Sequence, residues 1–140
     1  MLISTKGRYA LRVMLELCEH PQKEYMSLDT IATSQNISEK YLESIVGALS
    51  KAKMVEGLRG RGGGYRLVRT PEEYSVGQIL QAAEGSITPV NCQGCQPNGC
   101  ERADECMALP VWEKLDQIIN DYLNSVSLAD LLDQSRQKKN

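Results

Sequence analysis

Three features of the sequence predict a mainly α fold with a small β-ribbon, a winged helix-turn-helix followed by a long C-terminal dimerisation helix. Two short amphipathic segments, around Leu28–Ala32 and Tyr41–Leu49, are separated by a polar break, and the second opens on Ser38. A glycine-rich run from Gly60 to Gly64 lies between two strand-like pieces. Beyond Pro110, apolar residues recur at helical spacing over about four turns.

The elements follow in order. From Ser4 to Glu19, Tyr9, Ala10, Val13, Met14 and Leu17 lie close to an i, i+3, i+4, i+7 stripe, with Lys6, Arg8 and Arg12 off it or at its edge. His20-Pro21 ends this helix, because the residue before proline is pushed out of the α region. Ser27 caps a second helix with an apolar face of Leu28, Ile31 and Ala32, broken at Gln35-Asn36. Ser38 caps a third, Glu39 suits its positive end, and Tyr41, Leu42, Ile45, Val46 and Leu49 face inward as far as about Lys51.

Val55–Leu58 and Tyr65–Val68 read as strands around the glycine-rich tip, a β-ribbon wing. Thr70-Pro71 punctuates it, and Ser75 caps a short helix from Val76 to Ala83. From Glu84 to Met107 the apolar periodicity disappears. It returns at Val111, Leu115, Ile118, Ile119, Tyr122 and Val126, with Pro110 tolerated in the first turn. Ser127 caps a last helix through Leu128, Leu131 and Leu132, and Arg136–Asn140 reads as a frayed tail. The chain thus divides into a DNA-binding unit at 1–83, a cysteine-rich loop at 84–109 and dimerisation and terminal helices at 110–140.

Composition narrows the function. The chain has 140 residues, 41% hydrophobic, with no Phe, so aliphatic side chains must fill a modest core. A net charge of −2 argues against coating nucleic acid by bulk charge and leaves room for a local basic patch. No run approaches the ~18 apolar residues of a membrane span, and the N-terminus lacks a secretion h-region, so a cytoplasmic location is expected. One His, no nucleophile–base pair and a Gly62–Gly64 run set in a hairpin rather than before a helix argue against an enzyme.

Between Lys51 and Arg69 stand Lys51, Lys53, Arg59, Arg61, Arg66 and Arg69 against one acid, Glu56. Such a hairpin is either a solvated surface or an electrostatic footprint for DNA, and its place after a helix pair favours double-stranded DNA. Arg59 and Arg61 flank Gly60 at the tip and suit a narrow minor groove. On the third helix Ser38, Lys40, Tyr41 and Glu43 are the residues that reach the major groove. Glu43 is either a specificity element accepting from a cytosine amino group or an outward charge of no consequence.

Cys92, Cys95, Cys100 and Cys106 form a C-x2-C-x4-C-x5-C pattern in a polar loop. In a reducing compartment this points to a metal before a disulfide framework. Zinc favours paired C-x2-C knuckles, of which only Cys92–Cys95 is one, whereas an iron–sulfur cluster tolerates more varied spacing. Spacing leaves the two open beside simple thiol redox chemistry. Cys18, near the end of the first helix, reads as a packing residue, and His20 as a helix-end residue rather than a ligand.

The SxKGRYA run at Ser4–Ala10, YLE at Tyr41–Glu43, RGxGGGY at Arg59–Tyr65 and a cysteine loop leading into a long helix together resemble the IscR/NsrR family of winged-helix transcription regulators. The resemblance covers nearly the whole chain. It implies a homodimer with crossed C-terminal helices, a repressor acting on promoter operators, and a 2Fe–2S cluster whose state tunes promoter choice among cluster-biogenesis genes. Iron–sulfur assembly proteins would then be the cluster donors. The family cysteines fall on Cys92, Cys100 and Cys106, with two extra residues between the first pair. The IscR branch has a His where this chain has Leu109, so Cys95 is the first choice of fourth ligand; a carboxylate or a partner-subunit residue is the alternative. Nitric-oxide sensing of the NsrR type and a zinc-stabilised regulator remain the rival readings.

Overall fold

Serine caps set most of the helix starts. A computed structural model describes residues 3–20, 24–89 and 105–139. Along them run α1 (Thr5–Glu19), α2 (Leu28–Gln35), α3 (Glu39–Lys51), β1 (Val55–Leu58), β2 (Gly64–Leu67), α4 (Val76–Glu84), α5 (Leu109–Ser125) and α6 (Leu128–Lys139), with a 3-10 turn at Pro71–Glu73. The hydroxyls of Ser27, Ser38 and Ser75 accept from the backbone N–H groups of Thr30, Tyr41 and Gln78 at 3.2, 3.1 and 3.1 Å. Ser127 and Asp130 close a reciprocal cap on α6, at 3.0 and 2.9 Å. Each such cap is worth about 1 kcal/mol.

The helix-turn-helix turn is made by Asn36, which takes the left-handed region at φ 55°. Asn tolerates that region better than most residues. The end of α3 is closed differently. Lys53 N–H donates to the Ser50 carbonyl at 2.9 Å and Met54 N–H to that of Leu49 at 2.9 Å, with Lys53 at φ 60°. That is a Schellman closure with a lysine where glycine is usual.

The apolar stripes converge as the periodicity predicts. Ala10, Val13, Met14 and Leu17 of α1 pack with Ile31 of α2, Leu42, Ile45, Val46 and Leu49 of α3, and Ile79 of α4. Val55 and Leu67, paired across the ribbon, and Leu128 of α6 complete this core. A second cluster of Val76, Leu80 and Ile87 receives Ile119 and Leu123 of α5.

Several details depart from the sequence reading. β2 begins at Gly64 and ends at Leu67, because Leu58 pairs with Gly64. Met26 forms an isolated bridge with Tyr65 along the outer edge of β2, with both N–H···O distances at 2.9 Å. A Cβ on Gly64 would lie 2.1 Å from the Met26 carbonyl oxygen, so this position requires glycine. A further bridge joins Ser75 to Ser127 and ties the start of α4 to the start of α6. The tail read as frayed is helical as far as Lys139, with Arg136, Lys138 and Lys139 in the last turn of α6, and Asn140 lies outside the described residues. Cations there complement the negative end of the helix dipole.

Candidate nucleic-acid interface

The caps and core fix which face of α3 is presented outward. Leu42, Ile45, Val46 and Leu49 are buried, which leaves Lys40, Glu43, Ser44, Gly47, Ser50 and Lys51 exposed. These positions recur at three- and four-residue intervals and form one face. Ser38 is exposed but its hydroxyl caps the helix. Tyr41 behaves otherwise. It is half-buried and meets the Tyr9 ring edge-on, centroids 6.1 Å apart and planes at 87°, while the Arg12 guanidinium lies 4.9 Å over Tyr9. Tyr41 therefore joins α3 to α1 as well as lying beside the exposed face.

The four arginines of the wing region separate into two pairs. Arg66 pairs across the ribbon with Glu56 and lies 4.4 Å over the Tyr25 ring. The hydrogen bond that its guanidinium donates to the Glu56 carboxylate raises its already high pKa. Arg69 donates to the Lys53 carbonyl at 3.3 Å and lies 5.3 Å over Tyr74. Arg59 and Arg61, by contrast, are exposed at the tip on either side of Gly60, whose φ of 93° makes the turn, and have no ion-pair partner among the described residues. Two arginines hold the wing's shape, and two stand free at its end.

Tyr74 is a residue that sequence reasoning missed. Its side chain is fully buried, and burial raises its phenol pKa. The hydroxyl donates to the Met54 carbonyl at 2.7 Å and accepts from the N–H groups of Val68 and Arg69, both at 3.1 Å. It thus closes the root of the ribbon on both sides. The only signal in the sequence was an aromatic residue between the Thr70-Pro71 break and the Ser75 cap, which does not distinguish a buried clamp from a surface ring.

Cys92, Cys95 and Cys100 lie outside the described residues. Cys106 is an exposed free thiol three residues before α5, and Leu109 is the first residue of that helix. Among the described residues no three His, Cys, Asp or Glu side chains gather as a metal site. Cys18 is half-buried in contact with the main core, and burial, then Glu19 and Glu72, pushes its thiol up to about 12. It stays protonated near neutrality, as a packing thiol should. His20 lies 3.8 Å from Glu24.

At the root of the cysteine loop, Glu84 Oε1 accepts from the Ser4 backbone N–H at 2.9 Å and from its hydroxyl. α5, which follows the loop, has no buried residue. Val111, Leu115, Ile118 and Tyr122 are 59%, 37%, 52% and 65% exposed, an apolar stripe beside the face that holds Ile119 and Leu123. Among the described residues no helix is long and apolar enough to cross a membrane.

Residues 3–134 match the Rrf2 family, described as an iron-dependent transcriptional regulator. The HTH-type transcriptional regulator IscR of Pectobacterium carotovorum is 36% identical over 132 residues, 94% of this chain and 79% of that protein. The structure of T. potens IscR superposes with a TM-score of 0.78 at 34% identity, covering 100% of this chain and 92% of the other. That of CymR, the global cysteine regulator of B. subtilis, superposes with a TM-score of 0.73 at 36% identity, covering 94% and 95%.

Proposed function

The chain belongs to the Rrf2 family of transcriptional regulators, and we propose that it is a homodimeric, cytoplasmic repressor whose promoter choice is tuned by a 2Fe–2S cluster. Its target genes are those of iron–sulfur cluster biogenesis, and assembly proteins donate the cluster. DNA binding rests on one observation above the rest. The wing tip carries two arginines, Arg59 and Arg61, with no partner among the described residues, beside the exposed face of α3.

In this reading Arg59, Gly60 and Arg61 enter the minor groove, while Ser38, Lys40, Tyr41 and Glu43 at the start of α3 lie in the major groove. The exposed stripe of α5 supports the dimer, since a helix with Val111, Ile118 and Tyr122 outward has apolar surface to cover. Two protomers would then present two wings to a two-fold operator.

Cys92, Cys100 and Cys106 would hold the cluster, with Cys95 as fourth ligand in the place of the absent imidazole at Leu109. The donor set fits: these are soft thiolates, and the one described among them, Cys106, is exposed and free. When bound, the cluster would supply a redox-dependent state held by these thiolates. The chain's own part is to root that loop, through Glu84 on the N-terminus of α1 at one end and through Leu109 of α5 at the other.

Anaerobic purification with iron, sulfide and zinc analysis tests the cluster. Matched iron and sulfide in a red-brown protein support it. A colourless protein holding zinc would replace it with a zinc-stabilised regulator. A colourless, metal-free protein would favour a different signal, a reading for which the likeness to CymR stands. Cluster loss and DNA release confined to nitric-oxide exposure would favour sensing of the NsrR type.

A further inference from the structure

Near the middle of the exposed face of α3 stands a glycine, Gly47. Glycine is among the poorest helix formers, so a glycine inside a helix calls for a reason. Among the described residues the fold offers none. A Cβ built at Gly47 meets nothing within 4 Å, and Gly47 is not among the positive-φ residues. Elsewhere the reasons are internal: a Cβ at Gly7 would lie 2.3 Å from Glu84, and one at Gly77 would lie 2.2 Å from Asn124. Gly47 is bare toward the outside only.

Its neighbours define the notch. Glu43 precedes it by one turn and Lys51 follows it by one turn, with Ser44 and Ser50 beside it, all exposed. Lys40 and Lys51 are separated by roughly 16 Å of helix rise, and the major groove is about 12 Å wide. With α3 in the major groove, two ammonium groups so spaced would reach phosphates on both rims, and Gly47 would lie between them over the groove floor. Its own N–H belongs to the helix ladder and it carries no charge, so it has nothing to offer a phosphate. What it offers is close approach.

We propose that Gly47 is a specificity-determining position, where the backbone of α3 comes so near a base-pair edge that any side chain would be excluded. This deepens the reading of α3 as the major-groove helix and rests on it. A methyl group at this position should stabilise the free helix and obstruct the bound one. The two effects have opposite signs, which a merely tolerated surface glycine would not show.

The test uses the full chain and its Gly47→Ala, Gly47→Leu and Arg61→Ala variants. Two probes serve: a duplex selected by the wild-type chain from a random-sequence pool, and a scrambled duplex of equal length and composition. Binding is read by fluorescence anisotropy at one fixed salt concentration and stability by thermal unfolding. Gly47→Ala is expected to melt higher than wild type, to bind the selected duplex roughly 5- to 150-fold more weakly, the cost of one spoiled base contact, and to bind the scrambled duplex unchanged. Gly47→Leu should lose more, and Arg61→Ala should weaken both probes. If both Gly47 variants bind the selected duplex as wild type does while Arg61→Ala fails, the inference is wrong and the DNA reading stands. Equal weakening on the two probes would also overturn it, by assigning the notch to the backbone. If the wild-type chain selects no duplex and Arg61→Ala changes nothing, the DNA reading fails and carries the inference with it.

Discussion

The Tyr74 hydroxyl donates to the Met54 carbonyl at 2.7 Å and in doing so fastens the last residue before β1 to the turn that follows β2. The same oxygen accepts from Val68 and Arg69, so one buried phenol satisfies three backbone groups at the root of the wing. Removing the hydroxyl in Tyr74→Phe leaves those groups short of partners. An unsatisfied buried polar group costs about 1–3 kcal/mol. Urea unfolding at fixed protein concentration should show a loss of that size with an unchanged m-value, and the ribbon amides should exchange faster. A variant as stable as wild type would show that water replaces the hydroxyl at no cost.

A second contact ties the loop root to α1. Glu84 places its carboxylate on the N-terminal turn of α1 through Ser4, where a negative charge is favoured by the helix dipole. Glu84→Ala should cost about 1 kcal/mol and speed exchange of the first amides of α1. Glu84→Gln keeps an acceptor and should lose less. Equal losses in both variants would assign the whole effect to charge.

Cys18 gives a pH prediction. Its thiol rises from 9.0 to about 12 on folding, so between those values the unfolded chain has lost a proton that the folded chain retains. Stability must then fall as pH rises through that window. Cys18→Ala should melt with a shallower alkaline decline than the parent chain. In folded protein stripped of its cluster a thiol reagent at pH 8 should label the exposed Cys106 well before Cys18. Equal alkaline slopes would contradict the buried-thiol assignment.

The apolar stripe of α5 predicts an oligomer. Ile118→Glu places a carboxylate in that stripe, beside the face of Ile119 and Leu123 that packs inward. Sedimentation should find a dimer for the wild-type chain and a monomer for the variant, with helix content retained. A dimer that survives the substitution would place the interface elsewhere.

Much of this molecule was legible in its sequence because its signals are local. The caps Ser27, Ser38, Ser75 and Ser127, the stripe from Ala10 to Leu17 and the glycine-rich tip each depend on neighbours within a turn or two. The contacts that were missed span long separations. Tyr74 to Met54, Met26 to Tyr65 and Ser75 to Ser127 leave no periodicity to read. Tyr41 shows the other limit: one ring is both on the packed side of α3, against Tyr9, and next to its outward face. The charge count of the wing was legible, but not that Arg66 and Arg69 are held while Arg59 and Arg61 are free, since pairing depends on strand register.

The most direct test of the central claim is the affinity of the dimer for a selected operator duplex, measured anaerobically on one preparation before and after its cluster is removed by chelation. Linked sites of this kind are coupled by about 1–3 kcal/mol. The cluster-loaded and stripped forms should therefore differ roughly 5- to 150-fold on at least one duplex. Identical affinities on every selected duplex would mean that the cysteine loop does not speak to α3, and that the chain regulates by another signal.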